Sequence, residues 1–327
     1  MNYIGSKRKL SPFLFDKIHD ACGTLHDKTF CDIFAGTGIV GRTFKANVKK
    51  VISNDFEYFS YILNRNYIQN NSIIIYGDLF EELNNLQPKK GFIYKHYCLG
   101  GGSGRNYFSN ENGQKIDAIR QEIEKYKEKP DLYFFLLASL LESADKVANT
   151  ASVYGAFLKQ LKKSAQKNFI LEAALFERTQ TTHEVYQEDS NELIQNISGD
   201  ILYLDPPYNA RQYGANYHIL NTIASYKPFI PKGITGMPEY RKSSYCKTKE
   251  VQNSFEDLIK NANFRYIFLS YNNEGLMPPS QVRKIMEKYG HYDLTHTPYQ
   301  RFKADKNENR KHKADSTVEY LHILEKR

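Results

Sequence analysis

Ile201-Leu202-Tyr203-Leu204-Asp205-Pro206-Pro207-Tyr208-Asn209 decides the fold. Four apolar or aromatic residues run into an acid, two prolines and a tyrosine. An unbroken apolar run suits a strand of a parallel sheet covered on both faces. Pro206 and Pro207 must end that strand, because neither can donate a ladder hydrogen bond and both have a fixed φ. The result is a stiff corner at the carboxyl end of a strand, where open α/β sheets place their ligands. The corner offers one carboxylate, one carbonyl and one aromatic ring, which suits a planar amine. Asp205 can accept one N–H and the Pro206 carbonyl the other, while Tyr208 stacks on the ring that carries the amine. A strand end with a rigid turn has the same local sequence, so partners elsewhere in the chain must decide.

Upstream, residues 29–35 form a strand candidate that runs into Gly36-Thr37-Gly38-Ile39-Val40-Gly41, with a helix expected over 39–47. Glycines there let the backbone close around a ligand, and the amides at a helix start attract negative or lone-pair groups. Asp32, inside the strand, could bind a cationic or amine group. Residues 51–55 form a second strand ending in Asn54-Asp55, where an acid holds a ribose diol. Gly36, Gly38 and Asp55 thus describe a pocket for a nucleoside-bearing cofactor without saying which one. NAD fits this pattern equally, and a plain strand–helix turn with a solvated Asp55 stays open. A helix is expected over 56–66, and residues 73–76 are either a third strand or a minor edge.

At 327 residues the chain calls for two domains, or one with a large insertion. Hydrophobic residues at 41% and charged residues at 25% are ordinary for a soluble globular protein, and the net charge of +8 favours a polyanionic partner. Cys22, Cys31, Cys98 and Cys246 form no C-x-x-C pair and no zinc spacing, so reduced cytosolic thiols and no metal are expected. The apolar run 132–141 is too short to span a bilayer and predicts a buried helix. No signal-peptide segment follows Met1, which points to the cytoplasm.

Strand–helix alternation breaks down between about 80 and 180. Gly100-Gly101-Gly102-Ser103-Gly104-Arg105 predicts a loop mobile unless ordered by a partner. Lys95, His96, Tyr97, Arg105, Tyr107 and Phe108 around it would suit phosphates and bases, or nothing at all. Helices are expected over 116–127 and 132–143, and helical spacing of Val153, Tyr154, Phe157, Leu158 and Leu161 extends the pattern over 149–164. A strand at 183–186 precedes Asp189, an acceptor for a cofactor adenine or a strand-end turn. Beyond the corner, Arg211 and Tyr213 could meet phosphate or an extruded nucleotide, and His218 reads as a packing histidine. Residues 228–238 predict a loop and 264–269 a strand ending at Ser270-Tyr271-Asn272. A helix from 279 to 289 and a closing strand pair at 291–297 and 319–324 follow. Residues 301–313 are a DNA-contacting hairpin tip or a solvated loop.

In this order the pieces resemble the D12, or alpha, class of DNA adenine-N6 methyltransferases, of restriction-modification or orphan type. The matching elements are Tyr3-Ile4-Gly5-Ser6-Lys7, Asp32-Ile33-Phe34-Ala35-Gly36-Thr37-Gly38, Asn54-Asp55 and Asp205-Pro206-Pro207-Tyr208. The resemblance covers nearly the whole chain. It implies an α/β, Rossmann-like mixed seven-stranded methyltransferase sheet over 1–79 and 181–327, with a mainly helical target-recognition insertion over 80–180. It implies S-adenosylmethionine as cofactor, without metal, held by Tyr3, Ile4, Lys7, Asp32, Phe34, Ala35, Gly36, Thr37, Gly38, Asn54, Asp55, Asp189 and Asp205. Catalysis would fall to Asp205, Pro206, Pro207 and Tyr208 acting on an adenine flipped from duplex DNA. Arg105, Asn209, Arg211, Tyr213, Tyr271 and Asn272 would contact substrate. A monomer or weak dimer with a cognate restriction endonuclease as functional partner is the expected setting. The central segment departs in length and composition from the short target-recognition regions of GATC methylases, so it carries no GATC assignment. An RNA adenine-N6 methyltransferase is the nearest alternative. A dehydrogenase leaves the Asp205 corner without a role, and a non-enzymatic DNA-binding protein would not need it.

Overall fold

The structure is a computed structural model that describes residues 3–300 and 316–327. The charged run 301–313 lies outside the described residues. Two compact units emerge, one of residues 5–64, 179–212 and 242–327, the other of 1–4, 65–178 and 213–241.

The first unit holds a seven-stranded sheet: β1 (Thr29–Asp32), β2 (Lys50–Asn54), β3 (Glu184–Tyr186), β4 (Ser198–Leu204), β5 (Asn263–Asn272), β6 (Gly290–Gln300) and β7 (Ser316–Lys326). Their order is β3-β2-β1-β4-β5-β7-β6. Pairing is parallel from β3 to β5, and the β5–β7 and β6–β7 pairs are antiparallel. The expected mixed, Rossmann-like sheet is therefore present.

Alternation along β4 explains the layering. Ile201, Leu202, Tyr203 and Leu204 are all fully buried, and successive side chains face opposite sides of the sheet. Leu202 and Leu204 join Ile267, Leu269, Phe255, Leu258, Val282 and Ile285 in one cluster, under the helices Val251–Asn261 and Pro279–Met286. On the other side Tyr203 stacks with Phe30 and Phe30 with Phe44, with Phe15 next, under the helices Ser11–Cys22 and Ile39–Phe44. Each such side chain contributes about 1.5–3 kcal/mol by leaving water. Strand order reverses between β1 and β4, whose register pairs Asp32 with Tyr203. Both strands end there, so their carboxyl ends open a crevice at the switch point.

The second unit is helical. Pro130–Lys146 starts with proline in its first turn and buries Phe135, Leu136, Leu137, Leu140 and Leu141. Asn110–Ile123 is capped by Ser109, which accepts the Asn112 amide, and turns Ile116, Ile119 and Ile123 inward. Its buried Asp117 accepts the amides of Ile93 and Tyr94 at 2.9 and 2.8 Å, satisfying the first turn of Phe92–Tyr97. Residues 213–241 belong to this unit, which the expected boundaries of 80–180 left out.

Two expected elements are missing. Residues 73–76 join no strand, and Ile73 and Ile75 are exposed. Residues 149–164 form turns and bends, not a helix. There Ser152 has φ 92°, and the Asn149 side chain binds the carbonyls of Asn106 and Leu158 and the amide of Lys162. Those groups thereby escape the i to i−4 ladder that the apolar spacing suggested. No helix among the described residues is long and apolar enough to cross a membrane.

Candidate active site

The glycine turn after β1 is built by three side chains. Asp55, just beyond β2, accepts the Gly36 amide at 2.7 Å and the Glu57 amide at 2.9 Å. Asn64 donates to the carbonyls of Gly36 and Ser60 at 3.0 and 2.8 Å. Gly36 and Gly38 have φ of 53° and 74°, and a Cβ on Gly38 would lie 2.7 Å from Asn64 Oδ1. Only glycine fits there. Asn54 donates to the Ile33 and Glu188 carbonyls and accepts the Glu188 amide. All its groups are thus engaged in holding strand ends together, which is a scaffold placement for a residue expected to touch cofactor. Phe34, also expected on the cofactor, packs its ring edge-on to Tyr245 at 5.0 Å. Asp189 caps the short helix Ser190–Leu193 by accepting the Asn191 amide.

Burial raises the Asp55 carboxyl to about 6, against the pull of its two amide donors. Asp32 is pushed well above the carboxylate range by burial and by the charges of Asp205 and Asp55. Its Oδ1 is buried without a hydrogen-bond partner. An orphan acceptor at this place fits the ammonium of an amino-acid moiety.

At the end of β4, Asp205 Oδ1 lies 3.0 Å from Lys7 Nζ, and Glu319 Oε1 of β7 lies 2.9 Å from the same nitrogen. Burial and Glu319 lift the Asp205 carboxyl to about 6, with Lys7 opposing. Burial alone would lower the Lys7 ammonium, yet the two carboxylates hold it well above its usual value. The Lys7 ammonium also sits 5.5 Å from the centre of the Tyr208 ring, within reach of a cation–π attraction. Tyr208 is half-buried and meets Tyr271 edge-on at 6.0 Å, and its carbonyl accepts the Leu276 amide. Pro206 is buried and Pro207 half-buried. The ring, the carboxylate and the Pro206 carbonyl thus share one rigid corner, as the nine-residue reading expected.

The other expected substrate contacts divide. Tyr271 is buried behind Tyr208, where it backs the ring. Asn272 and Asn209 each cap a turn, accepting the amides of Glu274 and Arg211. Arg211 itself is exposed. In the helical unit, Tyr3 stacks on Tyr217 at 4.9 Å and leans on Tyr213, while the Ile4 amide donates to the Tyr217 hydroxyl and the Ile4 carbonyl accepts from the Tyr213 hydroxyl. The leading element therefore divides its residues, Tyr3 and Ile4 with the helical unit and Lys7 with the sheet. Arg105 differs from the phosphate contact expected of it. It donates to the carbonyls of Ile234, His96 and Gly233 and braces the turn 232–237. Tyr97, Tyr107 and Phe108 are fully buried, so they are core and not a base-stacking loop. His218 is buried with Nε2 3.0 Å from the Tyr154 carbonyl, the packing histidine that was expected.

Sequence reading missed Asn64 and Glu319. Asn64 left no signal, being one asparagine in a helix. Glu319 left a faint one, an acid sharing its strand face with the buried Leu321. Among the described residues no group of three His, Cys, Asp or Glu side chains could hold a metal ion.

A reversing mixed sheet, a glycine turn with a following acid, and an Asp-Pro-Pro-Tyr corner beside it define an S-adenosylmethionine-dependent methyltransferase acting on an amine. Residues 3–285 match the model of the D12 class N6 adenine-specific DNA methyltransferases. The chain is 65% identical to the type II methyltransferase M.NlaIII of Neisseria lactamica, over all of this chain and 99% of that one. It is 40% identical to M.CviAII of Paramecium bursaria Chlorella virus 1 over 93% of each. It is 37% identical to M.FokI of Planomicrobium okeanokoites over all of this chain and 53% of that protein. The chain belongs to the D12 class of adenine-N6 DNA methyltransferases. It methylates adenine N6 in DNA site-specifically, with S-adenosylmethionine as the methyl donor.

Proposed function

We propose that the Asp205–Tyr208 corner receives an adenine flipped from duplex DNA and carries out the transfer there. The observation that supports this most is the Asp205 carboxylate, fixed by Lys7 at the carboxyl end of β4 and adjoining the glycine turn after β1. Asp205 accepts one N–H of the amine and the Pro206 carbonyl accepts the other. Both contacts draw the nitrogen lone pair out of conjugation with the ring. Tyr208 stacks on the base, and Pro206 and Pro207 keep the acceptors from moving. S-adenosylmethionine supplies an electrophilic methyl on a sulfonium. The amine nitrogen would form the new N–C bond as the methyl–sulfur bond breaks and S-adenosylhomocysteine leaves, and its surplus proton would pass to solvent, so no covalent link to the protein is needed. Positioning and complementary charge supply the rate.

In the same reading the Gly36–Gly38 turn and Asp55 receive the nucleoside and ribose of the cofactor, and Asp32 its ammonium. Asp189 takes the adenine amine of the cofactor. The helical unit, residues 1–4, 65–178 and 213–241, reads the target sequence, and a net charge of +8 favours the DNA backbone. The names of the type II relatives support a cognate restriction endonuclease whose site this enzyme protects. A methyl-transfer assay with duplex DNA and with RNA of the same sequence tests the substrate. Transfer to DNA alone is expected, and transfer to RNA alone contradicts the reading.

A further inference from the structure

Glu319 is an acid in a place that needs a reason. It is 3% exposed and pairs in register with Asn272, on the face of β5–β7 that also carries Ser270. Its Oε1 accepts the Ser270 hydroxyl at 2.6 Å and lies 2.9 Å from Lys7 Nζ. Lys7 reaches Asp205 with the same nitrogen at 3.0 Å. A carboxylate, an ammonium and a second carboxylate therefore form one chain with a net charge of −1, in which Lys7 and Glu319 are buried and Asp205 is half-buried. Burying an ion carries a desolvation penalty even when it is paired. A Lys7–Asp205 pair alone would be neutral and easier to bury, so Glu319 is not explained by stability.

Its geometry offers another explanation. Lysine carries its charge on a flexible four-carbon stem. With one carboxylate in reach, the ammonium would follow Asp205 wherever that side chain turned. Glu319 is fixed at its own end by Ser270 and by the strand, and it gives the ammonium a second, immobile anchor.

We propose that Glu319, held by Ser270, is a positioning residue for methyl transfer: it pins the Lys7 ammonium against Asp205 Oδ1 and leaves Oδ2 to accept the target amine. It also shares the lysine charge, so that Asp205 remains a strong acceptor instead of a fully neutralised one. This rests on the reading of Asp205 as the amine acceptor.

The charged and titratable groups facing Asp205 are Lys7, Glu319, Asp32 and Tyr203, and Tyr208 faces the Lys7 ammonium. Of these, Glu319 raises the Asp205 carboxyl and Lys7 lowers it. Removing the Glu319 charge must therefore lower it, and ionised Asp205 then persists to lower pH.

The test is Glu319→Gln in the full-length enzyme, with kcat for duplex DNA followed from pH 5 to 9. Glutamine keeps an acceptor for Lys7 and Ser270 but loses the charge. The expected result is a kcat about tenfold lower at pH 7.5, with its acid limb moved down by about half a pH unit or more. A purely structural role would lower the rate at every pH and leave the limb in place. An unmoved limb, or a wild-type kcat, overturns the proposal. Should Glu319→Gln fail to fold, Ser270→Ala serves instead. A severalfold lower kcat with unchanged KM for DNA supports the anchor, and a wild-type kcat overturns it. Asp205→Asn separates the two levels. If it methylates at the wild-type rate, the corner reading itself fails. If it is inactive while the Glu319→Gln limb stays put, only the role of Glu319 fails.

Discussion

Single side chains decide whether the crevice can form. Asn64 is fully buried and binds two carbonyls across the glycine turn. Asn64→Ala would leave the Gly36 and Ser60 carbonyls without this donor and open a space under Gly38. Stranded buried groups cost about 1–3 kcal/mol each. We expect a loss of about 2–3 kcal/mol in thermal or denaturant unfolding. S-adenosylmethionine affinity should weaken about tenfold by calorimetry, the equivalent of about 1.4 kcal/mol. An unchanged affinity would detach the turn from the cofactor. Asp205, Asp55 and Asp32 share another property. Each is a carboxyl whose burial raises it above its usual range. A raised carboxyl favours the fold fully below the unfolded value near 3.8. That contribution is lost as pH rises through the folded value, about 6 for Asp205 and Asp55. At neutral pH the ionised Asp205 and Asp55 therefore cost stability, a trade made at functional sites.

Elements place these side chains, and some do so by bonds that the sequence does not advertise. The turn 232–237 is closed by reciprocal hydrogen bonds between Lys232 and Met237 and braced by Arg105 and by the Tyr97 hydroxyl on Gly236. Gly236 leaves room for the guanidinium, because a Cβ there would lie 2.6 Å from Arg105 Nε. Arg105→Ala should destabilise the helical unit by about 1–2 kcal/mol. It should also speed amide exchange at Gly236 and Met237, measured by hydrogen exchange. Unchanged protection there would show that the turn holds itself. His183 works similarly at the sheet edge, where its Nδ1 accepts the Val51 amide and burial with the nearby Lys45 charge lowers the ring to about 4.

Across the molecule, legibility followed the range of the interaction. The Asp205 corner could be read because two prolines and an apolar run act within nine residues. The parallel strands and the glycine turn were legible for the same reason. Residues 149–164 were misread because their apolar spacing has a helical period, while Asn149 captures the backbone groups a helix needs. Arg105 was misread because a charge in a glycine-rich loop looks available, whereas two of its three carbonyl partners, Ile234 and Gly233, lie 129 and 128 positions away. Glu319 was beyond reach because its meaning depends on Lys7 at the other end of the chain. The family resemblance added the target atom and the methyl donor, neither of which spacing alone could choose.

Asp205 receives the adenine amine in the proposed mechanism. That role is tested most directly by incubating wild-type and Asp205→Asn enzyme with duplex DNA and isotopically labelled S-adenosylmethionine, then identifying the modified nucleoside by mass spectrometry. Labelled N6-methyladenine is expected from the wild type. The variant is expected to form it at a rate at least about 100-fold lower, with cofactor binding retained. Wild-type rates of N6-methyladenine formation by Asp205→Asn would contradict that role.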